Sequence, residues 1–401
     1  AVRMIRKELL ELLFDAASIQ RWNDHIRPDQ FTELDKQAHK MIFAYVLGKI
    51  EETDRKATVD WSAIIEGGLI ELLHRIVLTD IKPPVFHKLM SEKGEQLNAF
   101  VIKKLADVIA PLQGGFLQKM ERYFFDPDPS SLERKILRAA HYLATNWEFK
   151  IIYRLNVGLY GLEETKAAIE NQLEEHYDLA GVQKLAMGKK TGNFMDLVGQ
   201  LRFQQRWAQS PRLPKTSVMG HMLIVAVLSY LCSVELEACR KRIYNNFFGG
   251  LFHDLPEVLT RDIVSPVKRS VEGLEQIIQE IERRQLEERI FPLLPLSWHS
   301  EMTYFTENEF ASKIIDEEGK IRFVTSDEIN RRYNRDKYNP LDGELIKVCD
   351  QLAAYMETFL SISHGVYSSH LAEANRQLYE AYKNKNIAGI DFGQIFSYFK
   401  V

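Results

Sequence analysis

Residues 250–268 read GLFHDLPEVLTRDIVSPVK, and an earlier stretch, residues 68–85, reads GLIELLHRIVLTDIKPPV. In both stretches a mostly apolar run leads to a histidine, His253 or His74, and the tails LTRDIVSPV and LTDIKPPV align with a gap of one residue. Repeats have to be recognised first, because a repeated unit changes how the rest of a chain is interpreted. The similarity predicts that part of this chain is present in two copies.

The similarity extends upstream of both stretches. The tripeptide Gln-Arg-Trp occurs at residues 20–22 and again at residues 205–207. After each tripeptide a histidine, His39 or His221, opens an apolar segment with helical spacing. Tripeptide, histidine and apolar helix therefore recur in the same order.

The similarity also extends downstream. The segment ILRAAHYLATNWE, which contains His141, corresponds to LIKVCDQLAAYME, which contains Asp350. Blocks that recur in the same order are hard to obtain by chance. We therefore predict a mostly α protein built from two homologous helical domains in tandem, residues 1–190 and 191–401.

The second copy is longer than the first between its last two blocks. The extra residues fall within 271–343, and this segment contains FASKIIDEEGKIRFVTSDE. Two short β-prone runs on either side of a glycine-containing turn, residues 317–319, predict a small β-hairpin. We expect amphipathic helices elsewhere.

Composition excludes several classes of protein. The 401 residues carry 52 basic and 56 acidic side chains, for a net charge of −4, and 45% of the residues are hydrophobic. These values are ordinary for a globular chain and argue against a disordered protein. A dedicated nucleic-acid binder usually shows a basic excess, which this chain lacks.

Cysteine usage and hydropathy indicate a cellular location. The three cysteines form no CxxC pair of the kind found in thiolate zinc sites, and an odd number leaves one thiol over from any disulfide. A reducing compartment is therefore expected. The longest apolar run, residues 222–234, is too short to span a bilayer. We expect a soluble cytoplasmic protein with no membrane or nucleic-acid partner.

Four residues of the second copy have metal-ligand chemistry: His221, His253, Asp254 and Asp350. Imidazole and carboxylate ligands without thiolate suit Mn, Co, Ni, Fe, Zn or Mg. They come from three predicted helices that are far apart in sequence, as a site for one divalent ion requires.

Two further residues suit hydrolysis of a phosphate ester. Glu257 follows Asp254 by three residues, which places both on one face of a predicted helix, where Glu257 can orient or deprotonate a water. Arg206 offers a planar guanidinium that binds phosphate oxygens in a bidentate manner.

The segments FQQRW, the helix opening at His221, LFHDLPEVLTRDIVSPVK and VCDQLAAYMETF together resemble the HD superfamily of metal-dependent phosphohydrolases. They resemble the bacterial 5′-deoxynucleotidases of that superfamily more closely. The resemblance covers most of residues 200–400 apart from the insertion, and it implies two tandem HD-type helical domains. It also implies that the two histidines and two aspartates named above bind one divalent cation.

The resemblance assigns roles to further residues. It implies that Glu257 activates water, that Arg206 orients the phosphate and that Trp207 lies beside the substrate. It also implies a nucleotide-contacting loop formed by Asp262, Ile263, Val264 and Ser265. Two positions depart from the family pattern: Gly220 replaces an acidic residue that usually precedes the first histidine, and Pro256 stands inside the HDxxE motif.

The first copy retains the repeat pattern but lacks the acidic residues of the motif. Arg75 replaces the motif aspartate, Leu78 the glutamate and His141 the distant aspartate. A guanidinium is always charged and cannot coordinate a cation. We expect a degenerate copy, with the alternative that His39, His74 and His141 hold zinc if Arg75 points away. The resembled nucleotidases are dimers, so the two halves are expected to form an intramolecular pseudo-dimer, with further oligomerisation left open.

The function predicted from these residues is that of a metal-dependent phosphohydrolase. It would release phosphate from a nucleoside 5′-monophosphate, deoxynucleotides included, or from a similar small phosphomonoester. Two alternatives remain open: a nucleotide phosphodiesterase, and a nucleotide-binding regulator without turnover.

Overall fold

The computed structural model describes residues 4–401, which divide into two compact units. Residues Glu8–Asp196 form the first unit, and residues 4–7 together with Leu197–Val401 form the second. Helices dominate both units, and the strands of the described residues occur only as two short pairs. The mostly α class is therefore confirmed.

The helices are numbered in chain order. Those up to residue 199 are α1 (Lys7–Asp15), α2 (Glu33–Arg55), α3 (Trp61–Leu78), α4 (Pro83–Ile109), α5 (Phe116–Phe125), α6 (Leu132–Leu155), α7 (Leu162–Glu174), α8 (Ala180–Ala186) and α9 (Lys190–Gly199). Those after it are α10 (Val218–Glu235), α11 (Arg240–Phe252), α12 (Glu257–Thr260), α13 (Ser265–Lys268), α14 (Leu274–Gln285), α15 (His299–Thr306), α16 (Ser326–Glu328), α17 (Gly343–Ser363), α18 (Ser369–Tyr382) and α19 (Phe392–Ser397).

The first unit is built around α2, which packs against α3, α6 and α8. The helix begins after Thr32, whose hydroxyl accepts a hydrogen bond from the backbone N–H of Asp35 at 3.2 Å. Such a cap satisfies one of the N–H groups that a helix start leaves without a partner. Most residues of α2 are buried, including polar ones, so this helix carries charged side chains into the interior.

The second unit is built around α10, which packs against α11 and α17. It is apolar on all sides, as expected for a central helix. Its 18 residues have the length and hydropathy of a membrane span, but 89% of that window is buried inside the fold. The apolar run predicted to be too short for a bilayer is thus part of a longer helix, and the surrounding helices cover it.

A buried ion pair fixes α11 relative to the start of α17. The guanidinium of Arg242 donates from Nε and Nη2 to the two carboxylate oxygens of Asp342 at 2.7 and 2.9 Å, and both side chains are fully buried. Asn246 donates to the same carboxylate at 2.7 Å. Because α11 leads to His253 and α17 carries Asp350, this pair positions two of the candidate ligands.

Replacement of Arg242 by methionine is expected to destabilise the protein by about 3–5 kcal/mol, because the change leaves Asp342 buried without its counter-charge. Denaturant unfolding measures the loss. The control is Arg240→Met, since Arg240 lies two residues earlier on the same helix and is exposed. Equal stability of the two variants would show that the pair does not hold α11 and α17 together.

The predicted hairpin is confirmed within the insertion. Strands β1 (Lys313–Ile315) and β2 (Ile321–Phe323) pair antiparallel, and Gly319 has a φ of 80° in the turn between them. A second pair, β3 (Asn386–Ile387) with β4 (Ile390–Asp391), was not predicted. Each strand is only two residues long, in a part of the chain where the sequence predicts amphipathic helices.

Candidate metal centre

His221 is positioned by the first turn of α10. The helix begins after Ser217, whose hydroxyl accepts a hydrogen bond from the backbone N–H of Gly220 at 3.0 Å. His221 is fully buried, and its Nε2 lies 2.6 Å from Oδ1 of Asp350 on α17. The first histidine and the distant aspartate, 129 positions apart in the chain, are therefore direct neighbours.

The His253–Asp254 pair lies in a turn and not on a continuous helix. Helix α11 ends at Phe252, residues 253–256 form turns, and α12 begins at Glu257. The predicted continuous helix over Asp254 and Glu257 is therefore interrupted. A turn still joins the two residues, since the backbone N–H of Glu257 donates to the carbonyl of Asp254 at 3.0 Å. Pro256 explains the break, because proline has no N–H to donate and disrupts a helix interior.

The turn nevertheless brings the pair to the other two candidate ligands. Nε2 of His253 lies 3.2 Å from Oδ2 of Asp254 and 3.2 Å from Oδ1 of Asp350. One ligand atom from each of the four residues lies within 4.8 Å of the others. The structure thus gathers all four predicted ligands into one cluster.

The electrostatics of the cluster favour positive charge. Burial acts to lower the pKa of His253, but the carboxylates of Asp254 and Asp350 outweigh it and hold that pKa well above its usual value. His221 behaves in the same way: burial and Arg206 act to lower its pKa, while Asp350 and Glu357 raise it. The protons on the two imidazoles therefore balance the negative charge of the carboxylates, as a bound divalent cation also would.

The donor set fits a divalent cation. The Nδ1–H of His253 donates to the carbonyl of Gly250 at 2.6 Å, which directs Nε2 towards the carboxylates. Metal-binding histidines usually have such a hydrogen bond on the second nitrogen. Two imidazole nitrogens and two carboxylates match the ligand preferences of first-row divalent metals and of Mg.

Glu257 supplies a buried carboxylate next to the cluster. Its side chain is 6% exposed, and its Oε2 makes no hydrogen bond with any of residues 4–401. Burial, followed by the negative charges of Asp254 and Asp262, raises the pKa of Glu257 well above its usual value. A buried oxygen without a partner is costly unless a water or ligand binds it.

Glu357 belongs to this site, although no role for it is predicted from the sequence. It is buried on α17, two turns after Asp350, and accepts a hydrogen bond from Nε1 of Trp207 at 2.5 Å. Nε of Arg206 lies 3.3 Å from each of its oxygens, and Nδ1 of His221 lies 3.5 Å from Oε1. One carboxylate therefore contacts the arginine, the tryptophan and a candidate ligand.

The charges around Glu357 account for its burial. Burial acts to raise its pKa, but Arg206 and then Arg212 outweigh this effect and hold that pKa well below the usual range. Arg212 lies 3.7 Å away and is itself held by Thr216, whose hydroxyl accepts a hydrogen bond from Nη2 at 2.7 Å. Glu357 thus remains ionised and fixes the guanidinium of Arg206 beside the cluster.

Two of the predicted substrate residues, Trp207 and Asp262, interact with groups of this site. Trp207 has a φ of 58°, and its indole N–H is already used in the hydrogen bond to Glu357. In the predicted loop, Asp262, Ile263 and Val264 are half-buried and Ser265 is exposed. Burial raises the pKa of Asp262, while Arg206 opposes the shift, so the loop begins within electrostatic range of the arginine.

The corresponding residues of the first unit do not form such a cluster. Among residues 4–401, the His/Cys/Asp/Glu group described above is the one arranged to hold a metal ion. The ammonium group of Lys36 contacts Nδ1 of His141 in the first unit. His74 instead bonds Asn98, with Nε2 3.0 Å from Oδ1. Nothing in this arrangement supports the alternative of a three-histidine zinc site.

Part of the second unit matches a known protein family, and two known proteins are similar to a part of the chain. Residues 198–379 match the HD domain family. The chain is 25% identical over 136 residues to a 5′-deoxynucleotidase of Pasteurella multocida, which covers 31% of this chain and 65% of that protein. It is 27% identical over 122 residues to the 4′-phosphooxetanocin A phosphatase of Priestia megaterium, which covers 29% of this chain and 60% of that protein.

The chain thus spans less than two thirds of the length of either relative. The family match, by contrast, includes all four side chains of the cluster as well as Arg206, Glu257 and Glu357. Residues 198–379 are thus similar to an HD domain.

Proposed function

We propose that this protein is a metal-dependent phosphohydrolase that releases phosphate from a small phosphomonoester, with a nucleoside 5′-monophosphate as the substrate class. The observation that carries the proposal is the buried, unpartnered Oε2 of Glu257 next to the histidine–aspartate cluster. The two distant relatives are named as a nucleotidase and a phosphatase, which supports the same chemistry.

His221, His253, Asp254 and Asp350 would hold one divalent ion. When bound, such an ion supplies Lewis acidity towards a phosphate oxygen and lowers the pKa of water in its vicinity. Glu257 would accept a proton from the attacking water, since its free oxygen is available for that contact. The neighbouring positive charge would also lower the pKa of Glu257 and make it a base.

Arg206 would bind and stabilise the phosphate. Its Nε side faces Glu357, which leaves the rest of its guanidinium for a ligand. The side chain is 13% exposed, so it can be reached from solvent while it is held rigidly. Donors held in place before the reaction stabilise developing charge without the cost of reorganisation.

Glu357 would act as a positioning residue for Arg206. Replacement by glutamine is expected to lower kcat/KM by about 10²-fold. The carboxamide leaves the guanidinium groups of Arg206 and Arg212 without a counter-charge, and Arg206 is then no longer held in place to bind phosphate. Glu357→Asp, which retains the charge, is expected to restore part of the loss. Steady-state kinetics measure both effects.

The matched control for Glu357 is Glu373→Gln, on the exposed surface of α18. A purely structural role would lower the amount of folded enzyme and leave KM unchanged, whereas loss of phosphate positioning raises KM. Unaltered kcat and KM in Glu357→Gln would contradict the assigned role.

The two units are further proposed to be homologous copies, residues 1–190 and 191–401, with the first as a degenerate partner in an intramolecular pseudo-dimer. Trp22 and Trp207 both have a positive φ, 56° and 58°. Each donates its indole N–H to a buried glutamate, Glu148 at 3.2 Å and Glu357 at 2.5 Å. A positive φ is uncommon for a bulky residue, so its occurrence in both supports a common origin.

A backbone feature next to these tryptophans supports the same proposal. Isolated β-bridges join Gln20 to Thr32 and Gln205 to Ser217. Thr32 and Ser217 are also the caps of α2 and α10, the central helices of their units. The cytoplasmic location belongs to the proposal as well.

A panel of phosphate esters tests the proposed reaction. Deoxyribonucleoside and ribonucleoside 5′-monophosphates, a cyclic nucleotide and a linear diester are incubated with protein supplied with one divalent metal at a time. Orthophosphate release reports on the monoesters, and chromatography of the remaining diester and of the monoester formed from it reports on the diesters. Release from monoesters alone is expected. Turnover of diesters alone would indicate the phosphodiesterase. Stabilisation by nucleotides without release of phosphate would indicate a binding regulator.

A further inference from the structure

The first unit gathers cationic side chains at the positions that correspond to the metal cluster. Lys36 and Lys40 lie on α2 on either side of His39 and are 0% and 2% exposed. Arg75 follows His74 where the second unit has Asp254, and Arg21 occupies the position of Arg206. Four basic side chains therefore converge in the interior of this unit.

Acidic groups compensate these charges only in part. Arg21 pairs with Glu148 at 2.9 Å and with Glu33 at 3.1 Å. Lys40 pairs with Glu71. Glu33, which already pairs with Arg21, is the acidic group that acts on Lys36. Arg75 is influenced by Glu33 and by Asp80, and neither carboxylate accepts a hydrogen bond from it.

Arg75 is the least satisfied of the four. Its Nε lies 3.9 Å from Glu33, beyond hydrogen-bond distance, and its guanidinium makes no other ion pair with residues 4–401. The group lies 4.4 Å from the centre of the Phe86 ring, which orients the guanidinium plane without using its donors. The side chain is 14% exposed, so a small solute can reach it.

The surrounding groups respond to excess positive charge. Burial lowers the pKa of His141 well below its usual value, and Lys36, Lys40, Arg21 and Arg75 lower it further. Burial likewise lowers the pKa of Lys36. In the second unit, by contrast, carboxylate oxygens of Asp254 and Asp350 lie 3.2 Å from Nε2 of His253. The equivalent positions therefore carry carboxylates in the second unit and a guanidinium, that of Arg75, in the first unit.

We propose that the first unit binds a phosphoryl anion at Arg75, without a metal ion. In the second unit the phosphate site would need a bound cation next to Arg206, whereas Arg75 brings a permanent cation to the equivalent place beside Arg21. A free guanidinium fork matches the geometry of phosphate oxygens. The inference uses the correspondence between the two units and does not depend on hydrolytic activity.

The ligand is the phosphoryl group of a nucleotide or free orthophosphate, which share this chemistry. Calorimetric titrations with orthophosphate and with deoxyadenosine 5′-monophosphate, at constant ionic strength, distinguish the two sources. The host is the full chain with Arg206→Ala, kept metal-free by a chelator, so that the second unit contributes neither its arginine nor a cation. Arg75→Ala is then added, with Arg154→Ala as control, since Arg154 is an exposed arginine of the same unit.

Saturable binding of at least one ligand to the host is expected, and Arg75→Ala should weaken it about tenfold or more, the size of one charge-assisted hydrogen-bonded contact. Arg154→Ala should leave it unchanged. If Arg75→Ala does not fold, Arg75→Lys serves instead, because it keeps the charge, loses the fork and is expected to bind more weakly. No saturable binding to the host, or equal binding in the Arg75 and Arg154 variants, would overturn the proposal.

A failure of this site is distinguishable from a failure of the proposed function. The binding assay uses metal-free protein, while phosphate release by the metal-loaded wild type reports on the second unit alone. Loss of one result with retention of the other identifies which proposal is wrong.

Discussion

Asp254→Ala is expected to lose its bound divalent metal and its phosphate release together. Asp254 contributes one of the two carboxylates of the cluster, and its removal leaves His221, His253 and Asp350. A metal contributes several kcal/mol of transition-state stabilisation. Because each 1.4 kcal/mol is a factor of ten in rate, turnover should fall by about 10³-fold or more. Elemental analysis of dialysed protein and a phosphate-release assay measure the two losses.

The control for Asp254 is Asp327→Ala, an exposed aspartate of the insertion in the same unit. Its metal content and activity should equal those of the wild type. Thermal unfolding of metal-free samples shows whether Asp254→Ala still folds. Full metal occupancy in a folded Asp254→Ala protein would contradict the ligand assignment, whatever its activity.

Glu257→Gln is expected to keep its metal and lose its turnover. The amide has nearly the same shape as the carboxylate but cannot accept a proton from water. General bases usually contribute 10²–10⁴-fold, so kcat should fall by about that factor, with metal affinity changed little. Metal titration and single-turnover kinetics separate the two quantities.

The matched control is Glu280→Gln, since Glu280 is half-exposed on α14 and pairs with Arg283. Near-wild-type turnover in Glu257→Gln would assign proton transfer to another group. Loss of metal in Glu257→Gln would instead make Glu257 a ligand. A general base is therefore recognised by retained metal with lost turnover, and a ligand, as expected for Asp254, by loss of both.

The four candidate ligands were predictable because their chemistry is visible in the residue types. A histidine at the start of an apolar helix, a His-Asp pair and an aspartate inside a late helix carry the pattern. The mostly α class and the hairpin followed from periodicity and turn residues. The ligand roles and the tandem arrangement stay predictions that the experiments above test.

Glu357 and the turn at Pro256 were harder to predict for different reasons. Glu357 lies in a helical segment where a charged residue is ordinarily assigned to the surface, and only the fold shows that Arg206, Arg212 and Trp207 surround it. Pro256 stands inside the motif, but the three-residue spacing of Asp254 and Glu257 by itself predicts a continuous helix. Long-range packing determines the burial of Glu357, and the missing N–H of Pro256 interrupts the helix.

The replacement of acidic by basic side chains in the first unit could be predicted only in part from the sequence. Arg75 in place of an aspartate predicted the loss of a ligand. The position of Lys36 against His141 depends on the packing of α2 against α6, which a single sequence does not specify.

The most direct test of the account is a titration of metal-free wild-type protein with Mn, Co, Ni, Fe, Zn or Mg ions during hydrolysis of deoxyadenosine 5′-monophosphate. Orthophosphate release is expected to rise with at least one of these metals and to reach its plateau at one ion per chain. Release that needs two ions per chain, or no release with any of the metals, would contradict it.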